Sequence, residues 1–145
     1  MARQDPLLNY RFRLEIDNIT IAGFSEATIG ETSTDVIDYR EGTDPAHVRK
    51  LPGLTKYGAV TLKRGVVTGQ LELFAWHRDV AAGNVANARK RVVIVVQDGA
   101  GTDQARFVVT DAWPSKYVAG DLDAKGNEVF IELLELVNEG IERVQ

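Results

Sequence analysis

A chain of 145 residues, 44% of them hydrophobic, is long enough to bury a core of its own and fits the size of one domain. It contains no cysteine, which excludes a disulfide framework, a thiolate nucleophile and a thiolate metal site. With 17 basic and 21 acidic residues the net charge is -4, which excludes the broad cationic field that sequence-independent nucleic-acid binding needs.

There is no run of eighteen apolar residues to span a membrane, and the opening Met-Ala-Arg-Gln-Asp-Pro lacks the apolar stretch of a secretory signal. A product made in the cytoplasm, without a membrane anchor, is the expectation. In chain order, Tyr10 to Ile16 alternates apolar and charged residues, the period of a strand with one buried face, and Tyr10, Phe12, Leu14 and Ile16 are expected inward. Asp17-Asn18 marks a turn, Ile19-Thr20-Ile21 a short extended piece, and Gly23 precedes a Ser-, Thr-, Ile- and Val-rich stretch to Arg40 that reads as two strands or one bent strand. From Glu41 to Gly58 the pattern stops for eighteen residues. A connection of that length inside a compact domain is either a working arm or a disordered insertion, and Leu51, Leu54 and Tyr57 favour an arm that docks on a partner.

Alternation returns over Ala59 to Arg64, followed by Gly65, Val66-Val67-Thr68 and Gly69. Leu73, Trp76, His77 and Val80 then recur at spacings of three and four, which predicts a helix over 71–82 with Thr68 as an N-cap and Gly83-Asn84 as its stop. Arg91 to Gln97 is a β-branched strand, and Asp98-Gly99-Ala100-Gly101 turns it back into Arg106 to Asp111 as a hairpin. Trp113-Pro114 is expected to interrupt pairing, Lys116 to Ala119 to be a short strand, and Asp121 to Asn127 a second polar turn with Gly126 at positive φ. Glu128 to Leu136 fits a helix or a strand by period, and its length and flanking turns favour a strand. About eight short strands and one helix predict a mainly β fold, a β-sandwich or barrel with the helix packed beside it and a long loop at 41–58, in a single domain over 1–145.

Catalytic residues are sparse. The two histidines are His47 in the loop and His77 beside Trp76 on the helix, and neither has a partner that would make it an acid, a base or an activator of a nucleophile. A solvated loop residue and a core residue account for them. Gly53 and Gly58 have the spacing of a phosphate-binding loop, but Ala59-Val60 stands where the lysine and hydroxyl would be needed. The best metal candidate is Asp121, Asp123 and Gly126 with Glu132, which match positions one, three, six and twelve of a calcium loop. Lys125 occupies position five, where an oxygen ligand belongs, so a plain turn is the simpler account and a calcium-dependent binding module the alternative function. Arg49-Lys50, Lys63-Arg64 and Arg89-Lys90-Arg91 are basic clusters with few aromatics between them, which suits solvated faces or subunit contacts better than nucleic-acid reading. A small sheet protein must also protect its strand edges, and closing into a ring of copies is one way to do so.

One ordered set of segments stands out: Asp5-Pro6 before the strand Tyr10 to Ile16, the run Arg49-Lys50-Leu51-Pro52-Gly53-Leu54-Thr55-Lys56-Tyr57-Gly58, and Val60-Thr61-Leu62-Lys63-Arg64-Gly65. Leu73-Phe74-Ala75-Trp76, Ala112 to Tyr117, Asp121 to Asn127 and Ile131-Glu132 follow in order. Together these resemble the phage tail tube protein family over nearly the whole chain. The resemblance implies a structural protein with no enzymatic activity and no cofactor, six copies of which close into a ring. Rings stack into a hollow tube inside a contractile sheath, on a baseplate or spike, with DNA or protein cargo in the lumen. It further implies that the long loop reaches neighbouring subunits, with Arg49, Lys50, Leu51, Leu54, Lys56 and Tyr57 as contact residues.

Overall fold

The structure, a computed structural model, describes residues 5–7, 11–17, 24–43, 46, 48–126 and 128–145. The expectations for Tyr10, Asn18, Ile19-Thr20-Ile21, Gly23, His47 and Asn127 lie outside these residues. Among the described residues the chain forms nine strands and two helices: β1 (Phe12–Ile16), β2 (Phe24–Thr28), β3 (Thr32–Tyr39), β4 (Arg49–Tyr57), β5 (Val60–Gly65), α1 (Glu72–Ala81), α2 (Val85–Ala88), β6 (Lys90–Gln97), β7 (Asp103–Val118), β8 (Ile131–Val137) and β9 (Gly140–Arg143).

The core follows from period-two patterning. Leu14 and Ile16 of β1, Val60 and Leu62 of β5, Val92 and Ile94 of β6, Val109 of β7, and Leu134 and Leu136 of β8 all turn to one buried interior. In β6 the β-branched run is buried on both faces. Val93 and Val95 point away from the main core, on the face where Arg13, Glu15 and Arg106 form ion pairs with one another and with Asp103. The Asp103 hydrogen bond holds the Arg13 guanidinium above its ordinary range, and hydrogen bonds from Gln97 and then Arg13 hold the Asp103 carboxyl below its own.

All strand pairs are antiparallel, in the order β1-β6-β7-β8-β5-β2, with β9 also paired to β7. β7 is the corner of the fold. Its first part pairs with β6 and β9, its last part with β8, and between them Asp111 takes a positive φ of 50° while the β8 register shifts between Pro114 and Lys116. A bulged strand that changes partners in this way turns one sheet over the other. β1 and β2 end the order without pairing to each other, so the result is a sandwich and not a closed barrel.

α1 lies against β7 and buries Leu73 and Trp76, and the Trp76 indole N–H donates to the carbonyl of Ala88 at the end of α2. That single bond ties the two helices together around the Gly83 turn, where φ is 89°. Val80 packs on the same core while His77 is only half-buried.

Several local expectations are corrected. The segment 41–58 is not one irregular loop: its second half is strand, because Arg49 to Tyr57 finds cross-strand partners in Thr32 to Tyr39. Pairing continues through Trp113-Pro114, since the proline sits at the change of sheet partner, where an absent N–H is tolerated. Thr68 does not cap α1, which starts after Leu71 with no side-chain cap. A second, four-residue helix accompanies the expected one. The turn after β7 belongs to a longer connection from Ala119 to Phe130, and the positive φ there, 92°, is at Gly120 and not Gly126. A Cβ at Gly120 would lie 2.2 Å from the Ile131 carbonyl oxygen, so no other residue fits.

Candidate assembly interface

Among the described residues, β3 and β4 pair with each other and with no other strand, and form a ribbon apart from the larger sheet. Every residue of β3 is exposed, and in β4 only Gly53 is partly covered. The ribbon is pinned at its base. Gly58 N donates to the Glu31 carbonyl at 2.7 Å, Asn138 Nδ2 donates to the Gly58 carbonyl at 3.0 Å, and a Cβ on Gly30 would lie 2.3 Å from the Gly58 oxygen. Two glycines therefore permit the two strands to leave the body in contact.

Along the ribbon, Thr34 and Thr55 hydroxyls meet at 3.0 Å, Lys56 Nζ lies 3.3 Å from Asp35, and Lys50 Nζ lies 2.6 Å from Asp38. A bulge sets Gly53 and Leu54 opposite Asp35. Exposed ion pairs of this kind are each worth about 0–1 kcal/mol, and a lone two-stranded ribbon is marginal in water. Yet the ribbon presents Leu54 at 73% and Val36 at 66% exposure, with Ile37, Tyr39, Leu51 and Tyr57 also exposed. An exposed apolar surface of this kind makes the ribbon a candidate contact site.

All six residues expected to make subunit contacts, Arg49, Lys50, Leu51, Leu54, Lys56 and Tyr57, are brought together on β4. The sequence reading missed Val36, Ile37 and Tyr39, which share the ribbon from β3. The available signal was that 32–39 carries its apolar residues next to Asp35 and Asp38 and so lacks a clean buried face.

A second exposed apolar surface lies at the far ends of β5, β7 and β8. Val66 N donates to the Phe130 carbonyl, Val129 lies 3.5 Å from the Cβ position of Gly65, and the Phe74 and Tyr117 rings meet edge to face at 5.6 Å. Under this end sits a buried ionic cluster. Arg64 donates from Nε to Glu132 at 2.9 Å, Tyr117 donates to the other Glu132 oxygen at 2.6 Å, and Glu72 lies 3.4 Å from Arg64 Nη2. The Phe24 ring lies 5.9 Å from the Arg64 guanidinium carbon. Burial, reinforced by the Glu132 carboxylate, pushes the Tyr117 hydroxyl up to about 12.

The geometry of this cluster argues against the calcium alternative. Glu132, the twelfth-position ligand, is buried and its two oxygens already accept from Arg64 and Tyr117, while Asp123 Oδ1 accepts from the Lys125 N–H. Among the described residues no group of three His, Asp or Glu side chains is placed to hold a metal.

The T4-like virus tail tube protein gp19 family matches residues 8–142 of the sequence. The chain belongs to that family. Curated proteins give no match. Among solved structures, this tail tube family member is similar to a chain of the PVC extracellular contractile injection system in its sheath/tube terminator, extended state, with 25% identity, TM-score 0.83, and 99% and 100% of the two chains covered. It is similar to a chain of the anti-feeding prophage tube-terminating cap, with 25% identity, TM-score 0.82, and 99% and 93% covered. Hcp1 from Flavobacterium johnsoniae shares the fold at 16% identity, TM-score 0.55, with 92% and 94% covered. Family and contractile-system neighbours are structural tube proteins, and the tail tube chain has a structural and not an enzymatic role.

Proposed function

We propose that the chain is an inner-tube subunit of a contractile phage tail or contractile injection particle. Made in the cytoplasm as one domain, six copies close into a ring, and rings stack into a hollow tube for DNA or protein cargo. A sheath protein surrounds the tube, and a baseplate or spike complex starts it. The supporting observation is the pinned β3–β4 ribbon with Leu54 and Val36 bare to solvent, in a chain of the tail tube family. Arg49, Lys50, Leu51, Leu54, Lys56 and Tyr57 are its contact residues. Six copies at -4 carry -24 formal charges per ring, which disfavours adhesion of DNA where that charge faces the lumen.

Electron microscopy of the concentrated protein tests the reading. Rings or hollow tubes are expected, and Leu51→Asp with Leu54→Asp abolishes them while circular dichroism stays unchanged. Dispersed single copies at every concentration, with and without a baseplate nucleus, overturn it.

A further inference from the structure

Asp98-Gly99 is the only Asp-Gly pair in the sequence, and there is no Asn-Gly. In such a pair the backbone nitrogen of glycine, which no side chain shields, can attack the carboxyl carbon of the preceding aspartic acid. A new N–C bond closes a succinimide ring, and the acid hydroxyl leaves with the amide proton as water. Water then opens the ring. Where it breaks the bond to the original backbone carbonyl, the main chain is left running through the side-chain carbons as isoaspartate, a net isomerisation that needs no cofactor or oxidant.

We infer that Asp98-Gly99 is a latent isomerisation site that the hydrogen bonds of the β6–β7 turn keep closed, so that isoaspartate forms in chains whose turn has opened. The carboxyl is held first. Its Oδ1 accepts from the N–H groups of Ala100 at 2.9 Å and Thr102 at 3.0 Å, and its Oδ2 accepts from Gln104 Nε2 at 3.1 Å. Ring closure consumes the neutral acid, whereas these donors, Thr102 foremost, favour the carboxylate and hold the group below its ordinary range. The main chain is held as well. Asp98 N donates to the Thr102 carbonyl and Gly101 N to the Asp98 carbonyl, each at 3.0 Å, so the Gly99 nitrogen reaches the carboxyl carbon only when the turn gives way. The damage would also be lasting. This turn joins the central strands of the larger sheet and sets Gln97 opposite Asp103, and isoaspartate adds a carbon to the main chain where that register is fixed.

Incubating the full chain in heavy-oxygen water at neutral pH decides this, because each passage through the ring exchanges one oxygen for the heavy isotope. Trypsin then releases Val92 to Arg106 as one peptide, in which Asp103, followed by glutamine, is the internal control for Asp98. The chain unfolded in urea gains label at Asp98 at least about tenfold faster than the folded chain, as a reaction gated by opening must. Gly99 is not at positive φ and a Cβ there meets nothing within 4 Å, so Gly99→Val folds, and its branched side chain removes the label even in urea. Gln104→Leu, which takes one donor from the carboxyl at an exposed position, gains label several-fold faster than the folded parent while circular dichroism stays native. Equal rates in the folded and unfolded parent, or no label at Asp98 in urea, overturn the latent site. A natively folded Gln104→Leu that gains label no faster than the parent overturns the role of the carboxyl hydrogen bonds.

Discussion

Arg64 and Glu132 lie directly opposite each other on β5 and β8, joined at 2.9 Å, and are only 1% and 3% exposed. Breaking a buried pair strands a charge, so Arg64→Met or Glu132→Leu alone lowers stability by about 3–5 kcal/mol. Replacing both, as Arg64→Met with Glu132→Leu, leaves no buried charge and recovers most of that loss. Urea unfolding of the three variants checks the ordering. A double variant as unstable as the sum of the singles sinks it.

Tyr117 donates to the same carboxylate, and its folded-state value of about 12 stands above the ordinary 10.0. A raised value means that the neutral hydroxyl is favoured by folding. Its contribution is complete below pH 10 and is lost as pH rises through about 12. Tyr117→Phe therefore removes part of the alkaline decline in stability over that window. In a near-ultraviolet titration of the folded protein, the late-ionising component among the four tyrosines disappears with it.

Asp98 organises the β6–β7 turn by accepting from the Ala100 and Thr102 N–H groups, and these bonds, that from Thr102 foremost, hold its carboxyl below the ordinary 3.8. Here the sign is opposite to that of Tyr117. The contribution is present above 3.8 and is lost as pH falls through the lowered value. Asp98→Ala should be less stable than the parent at neutral pH, with the difference shrinking in acid. Thermal melts along a pH series show whether the gap closes.

Where one face of a strand was buried, its period was readable: Phe12 to Ile16, Val60 to Gly65 and the Val92 to Val96 run all stand where the alternation or the β-branched run put them. The ribbon was only half legible. Its residues are exposed on both faces, so no alternation marks β4, and Pro52-Gly53 reads as a loop although a bulge accommodates it. Arg64 and Glu132 were hidden for a related reason. A charged residue inside an alternating strand reads as outward-facing until its cross-strand partner, sixty-eight positions away, is known. The apolar residues of the ribbon, by contrast, were visible as an anomaly in a polar stretch, and that is why Leu51, Leu54 and Tyr57 could be singled out.

Because Glu132 is held by Arg64 and Tyr117, calcium has no carboxylate to recruit at that position without breaking a buried pair. Millimolar calcium should give neither binding heat nor a rise in melting temperature. A measurable rise, lost in Asp121→Asn with Asp123→Asn, would restore the metal reading.

Gly30 tests whether the base of the ribbon aims it. A methyl group there meets the Gly58 oxygen at 2.3 Å and the Ala59 oxygen at 2.7 Å, both backbone atoms that cannot swing away. Gly30→Ala must push the two ribbon strands apart at their root, at a cost of about 1–3 kcal/mol. The displacement is amplified along eight or nine residues of ribbon, so assembly fails more completely than stability. Gly42→Ala is the matched control at the other end of the ribbon, where a Cβ meets nothing within 4 Å. It should change stability by no more than about 0.5 kcal/mol and still form tubes. If Gly30→Ala assembles as well as Gly42→Ala, the glycine pinch does not direct the arm, and the ribbon must find its neighbour by flexing along its own length.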